Sequence, residues 1–189
     1  MEPLVTFKNF ALFAILIMFA AGSFMVLKGP KDKTKSVSQH AATANKEFYL
    51  MYAFAFLIGT ILFYLFCMFW FIPTFTLSFG FTLSLHLMTF LLILTALIPE
   101  SGKKVKVHQI VAYGFASMMM LLLVFVAISP KVSVLARIVS AVSVCWMAIC
   151  WHLAFFSPYK QKVNLYYLLY QYSYVILFVL SILAATYIR

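Results

Sequence analysis

Acidic residues are the rarest functional groups in this chain: Glu2, Asp32, Glu47 and Glu100 are all there are. None falls inside a long apolar run. Carboxylates within membrane spans are the usual mark of proton relays and ion pathways, so their absence argues against a pump or ion-coupled transporter. Charge of either sign is sparse, at 10% of residues against 66% hydrophobic. A soluble domain needs about a quarter charged residues to cover its surface, which excludes a water-soluble fold. No Gly-rich phosphate loop, dinucleotide fingerprint or HExxH motif occurs. Cys67, Cys145 and Cys150 all lie within apolar runs; no loop pair is available for a disulfide, and all three read as small packing residues. Strands of about 10 residues with alternating polarity, as a membrane barrel requires, are missing.

What is present is a series of apolar runs of spanning length, about 20 residues each. They cover Phe10–Leu27, Phe48–Ile72, Phe75–Ile98, Ile110–Ile128, Val132–Phe156 and Leu165–Ile188. The first reads as a span rather than a signal peptide, because its apolar run continues through Phe24–Leu27 past the small residues 20–23. A lone span must satisfy its own backbone hydrogen bonds, so each run predicts a helix. The expected fold is all-α, an integral membrane bundle of six transmembrane helices in one domain, residues 1–189. The only long connection, Lys28–Lys46, is polar and basic, with a short amphipathic turn conceivable over Ser38–Asn45.

The net charge of +10 is an orientation signal. Lys8, Lys131, Arg137 and Arg189 fall on the N-terminal side, and the other ten basic residues fall in the odd loops. Basic residues in short loops stay cytoplasmic, so both termini are expected outside and the odd loops inside. A nucleic-acid partner does not fit charge spread over three short loops beside lipid. Membrane lipids do, since anionic headgroups attract such loops. Arg137, the one full charge within a span, is expected to reach back to the boundary.

The polar focus is the hairpin IPESGKKVKVHQ, residues 98–109. It puts Glu100 and His108 at one boundary. His152, near the end of the fifth span, lies on the same side and within about one helical turn, roughly 5 Å, of the depth of His108. Imidazole and carboxylate are ordinary zinc ligands, so His108 and His152 with Glu100 form a candidate metal site. A second candidate is the stripe Ser78, Thr82, His86 and Thr89, which shares one face of the third span and is expected to turn inward. His86 lies roughly 18 Å from the boundary, too deep to share a haem with His152. Tyr167, Tyr170 and Tyr174, with Gln171 beside them, read either as an interfacial anchor or as a ligand wall.

Ile98-Pro99-Glu100, His108 and Ala112 one turn later, together with the polar first loop Ser36–Phe48 leading into an aromatic span, resemble the damage-regulated autophagy modulator family. The plan is similar to that of the family's six-span bacterial and archaeal relatives. The resemblance implies a bacterial or archaeal cell membrane and a lipid-linked role without a defined reaction. The leading expectation is a membrane protein that binds lipid or a partner. A metal-dependent lipid hydrolase using Glu100, His108 and His152 is the alternative, and an accessory subunit associated with other membrane subunits is a third.

Overall fold

The computed structural model describes residues 2–28, 34–155 and 167–188. Helix α1 covers Glu2–Lys28. A short α2, Val37–Thr43, follows in the first loop. Helix α3, Lys46–Phe66, runs through a π-helical turn, Cys67–Phe71, into α4, Ile72–Phe75. Then come α5, Phe79–Leu97, α6, Val105–Ile128, α7, Val134–Phe155, and α8, Tyr167–Tyr187. Among the described residues six helices, α3 with α4 counting as one, are long and apolar enough to cross a membrane. The protein is an all-α integral membrane bundle.

The boundaries move where local chemistry overrides the apolar pattern. Pro73 does not end the second span. It sits in the first turn of α4, where its missing N–H matters least, and the wide turn before it shifts the hydrogen-bond ladder. The helix stops at Thr76, whose φ of 46° is left-handed, with the Leu77 amide returning to the Ile72 carbonyl at 3.2 Å. The third span therefore starts at Phe79, with Ser78 as its N-cap. The fourth begins early, because Gly102 takes φ +54° and opens a 3₁₀ turn, Gly102–Lys104, that feeds directly into α6. A side chain at that φ would be strained. The turn in the first loop is a capped helix: Ser36 accepts from the Gln39 amide, and the Gln39 side chain accepts from the Ser36 amide, the reciprocal capping box. The end of the fifth span and the start of the sixth, residues 156–166, lie outside the described residues.

The helices stand in chain order around a ring. Helix α1 packs on α3, α3 on α5, α5 on α6, α6 on α7 and α7 on α8, while α8 touches α6 and α1. Consecutive neighbours are what short connections favour. Lipid tails are as apolar as leucine, so packing and interhelical hydrogen bonds hold such a ring together. The aromatic core lies toward the N-terminal end, where Phe66, Phe71, Phe81, Leu122 and Leu123 are fully buried. The α7–α8 seam is small and polar, with Ser181 donating to Ser143 at 2.9 Å beside the buried Ala136, Ser140 and Ala185. Arg137 reaches back to donate to the Ala127 carbonyl at 2.9 Å, capping an orphan acceptor in the last turn of α6. Lys8 lies at this same end, its Nζ 4.4 Å from the ring centre of Tyr187.

Candidate functional site

At the other end of the ring, the hairpin after α5 turns Glu100 inward. Pro99 terminates the helix, and Glu100 is 8% exposed. Its carboxylate accepts from Ser36 Oγ at 2.5 Å, Gln39 Nε2 at 3.1 Å and Gln109 Nε2 at 3.4 Å. A buried carboxylate survives in a low-dielectric site only with donors of this kind. Two of the three come from the α2 segment, so Glu100 ties the first loop to the hairpin. A second tie comes from α8, where Gln171 Oε1 accepts from the Val37 amide at 3.0 Å.

His108, 2% exposed, stands one turn into α6. Its Nδ1 lies 2.5 Å from the carbonyl of Ile98, the C-cap of α5. A carbonyl only accepts, so Nδ1 carries the proton. The Tyr49 hydroxyl donates to the neighbouring Ala96 carbonyl at 3.0 Å, so two side chains close the end of α5. With Nδ1 committed, His108 Nε2 faces Glu100 Oε2 at 3.7 Å.

Beneath this network lies a cavity of about 260 Å³, just below the usual size of small-molecule sites, roughly 300–1,000 Å³. Its polar end is lined by Ser36, Ser38, Glu100, His108, Gln109 and Gln171. Its shaft is lined by Met18, Phe56, Phe63, Met88, Met119 and Phe178. Of the expected tyrosine wall, Tyr170 and Tyr174 line the cavity, and the Tyr174 hydroxyl donates to the Ala116 carbonyl at 2.6 Å. The side chain of Tyr167 lies outside the described residues.

His152 does not join Glu100 and His108 in this wall. Trp151 lines the cavity and packs against Tyr113 with ring centres 6.2 Å apart. One residue further along a helix is turned about 100°, which puts His152 on the exposed face of α7. Among the described residues no three His, Cys, Asp or Glu side chains gather as a metal site would need. Of the three candidate donors, the geometry brings together one imidazole and one carboxylate, His108 and Glu100.

The stripe on α5 also departs from its expected direction. Phe81, Ser84, Leu85, Met88 and Leu92 form the buried face, while Ser78 and His86 are exposed. His86 is held at the outer edge of the α3–α5 contact. Its Nδ1 lies 2.6 Å from the Thr82 carbonyl and its Nε2 3.0 Å from the Tyr64 hydroxyl. Both ring nitrogens are engaged. Thr89 Oγ1 is buried with no hydrogen bond among the described residues. A period of three and four identifies a shared face but not its direction, and on α5 the larger apolar side chains take the interior.

The residues that a reading of charge and histidine alone passes over are Ser36, Gln39 and Gln171. The first two were legible as a Ser-x-x-Gln capping signature. The third was legible only as a neighbour of the tyrosine stripe; its partner Val37 lies 134 residues away. No family model, curated protein or solved structure matches this chain.

Proposed function

We propose that this membrane protein binds a lipid-like amphiphile in the central cavity, head toward the Glu100–His108 network and chain along the shaft. The observation that carries the reading is the polarity gradient of one cavity, with Ser36, Glu100, His108, Gln109 and Gln171 at one end and a wall rich in methionine, phenylalanine and valine, broken by Thr60 and tyrosines, along the rest. Ligand sites between bundle helices have this composition, mostly apolar with a few placed polar groups. The resemblance of the 98–112 hairpin to a lipid-linked family points the same way. The polar end belongs with the odd loops, which carry the excess of lysine, and we assign that end to the cytoplasmic side, with both termini outside. A bacterial or archaeal cell membrane is the setting implied by the same resemblance.

The test uses Trp151 as reporter, with Trp70 and Trp146 replaced by phenylalanine. A monoacylglycerol brominated along its chain is titrated into the purified protein in phosphatidylcholine nanodiscs. Saturable quenching of tryptophan fluorescence is expected, and Ala112→Phe, which puts a ring into the cavity wall, should abolish the saturable part while leaving the circular dichroism unchanged. Quenching that only rises linearly, as bilayer partitioning gives, or that ignores the Phe, would overturn the reading.

A further inference from the structure

We infer that the cavity takes a single acyl chain of about ten to twelve carbons, its length set by a floor of Phe63, Met88, Met119 and Phe178; this rests on the amphiphile reading above. The floor is built by four helices. Phe63 comes from α3, Met88 from α5, Met119 from α6 and Phe178 from α8, and all four line the cavity. Each is at most 6% exposed. The rings of Phe63 and Phe178 stand 5.9 Å apart, centre to centre. One turn further from the hairpin, Phe66, Leu85, Leu122 and Ile182 are at most 1% exposed and are not part of the cavity wall. The shaft therefore ends on close-packed interior.

Helix rise gives its depth. His108 stands at the polar end and holds the carbonyl of Ile98, which levels the start of α6 with the end of α5. Met119 lies eleven residues beyond His108 on α6, about 16 Å at 1.5 Å per residue. Met88 lies ten residues before Ile98 on α5, about 15 Å. Two helices thus put the floor at one level. Staggered carbon–carbon bonds of about 1.5 Å give a chain of about twelve carbons this length.

The volume agrees with the depth. A methylene takes about the room of a water, about 30 Å³, so the cavity's 260 Å³ holds about nine. That is one chain and leaves no room for a second. Lipid tails are as apolar as this wall, so fit decides which chain stays. A short chain leaves the floor bare and forfeits dispersion contacts. A long one must fold back or part a packed core, which resists added methylenes.

The test is competition against the brominated monoacylglycerol in the same nanodiscs. The competitors are saturated monoacylglycerols of eight to eighteen carbons, each expressed as its mole fraction in the bilayer. Competition should peak at about ten to twelve carbons and fall at least about tenfold by sixteen. Dilauroylglycerol, with two chains, should be weaker than monolauroylglycerol by a similar factor. Phe178→Ala takes a ring from the floor and should move the peak to longer chains. Ala116→Leu fills the wall one turn above Met119 and should move it to shorter ones. A misfolded protein shows neither shift, and either variant tests the floor if the other does not fold. Sixteen carbons competing as well as twelve, as a chain leaving sideways between α1 and α8 would, overturns the inference while the amphiphile reading stands. So does dilauroylglycerol matching monolauroylglycerol, or a peak that the folded variants leave in place. The absence of any saturable quenching to displace would remove both.

Discussion

Replacing Glu100 by leucine should release the α2 segment without unfolding the ring. The carboxylate holds Ser36 Oγ at 2.5 Å and Gln39 Nε2 at 3.1 Å, with Gln109 a long third at 3.4 Å. Hydrogen bonds to an ionised partner contribute about 1.5–3 kcal/mol each. They share one acceptor and do not add simply, and the α2 donors regain water when the segment opens. The net loss for α2 is then about 3 kcal/mol, which raises its opening equilibrium roughly a hundredfold. Glu100→Gln keeps one carbonyl oxygen for Gln39, so its loss should be about 1 kcal/mol, near fivefold. Hydrogen exchange resolved by segment is the assay. The amides of His40 and Ala44, bonded to Ser36 and Ala41, should exchange about a hundredfold faster in Glu100→Leu. Those of α7, which the network does not touch, should keep their protection. Exchange in α2 within threefold of the parent would refute the claim that Glu100 fastens it.

Gly59→Ala should destabilise the α1–α3 contact by about 1–3 kcal/mol, because the added methyl meets the Met18 side chain and comes within 3.2 Å of the Ala14 carbonyl; a lower unfolding temperature in detergent checks it. At Gly22 the same methyl meets only Val37 Cγ1 at an ordinary 3.5 Å, so Gly22→Ala should leave that temperature unchanged. His86→Leu removes the Tyr64 contact at the bundle's outer edge, should cost about 0.6 kcal/mol, and should leave the saturable quenching of Trp151 intact. A cysteine placed at exposed Ser101 in a Cys145→Ser background should react with a membrane-impermeant thiol reagent only after permeabilisation; fast labelling of intact cells would reverse the topology.

The spans were legible because the signal for them is summed over many residues. Twenty apolar side chains outvote one proline, which is why the runs survive even though Pro73 sits inside a helix and the ends move by several residues. Those movements follow from rules that act on single positions. The left-handed Thr76 shifts the start of the third span. The positive φ of Gly102 lets the fourth helix begin among lysines that hydropathy assigns to a loop. Such positions are invisible to any window average.

The site was half legible, for a reason that lies in how it is assembled. Glu100 stood out as the one acid after Glu47, and His108 follows it within the same hairpin, so neighbourhood in sequence became neighbourhood in space. His152 was matched to them by depth, and depth fixes only one of the two coordinates a helical side chain needs. The other is rotation, and Trp151, larger and more apolar, takes the inward direction. The same ambiguity turned His86 outward on α5. The remaining partners, Ser36, Gln39 and Gln171, arrive from α2 and α8, which meet at the hairpin because the ring of helices brings α8 against α1. Their polarity is modest, and their meaning comes from where they meet: the Val37 amide takes the Gln171 carbonyl while Ser36 and Gln39 take the Glu100 oxygens, so three segments far apart in sequence are fastened at one end of the cavity.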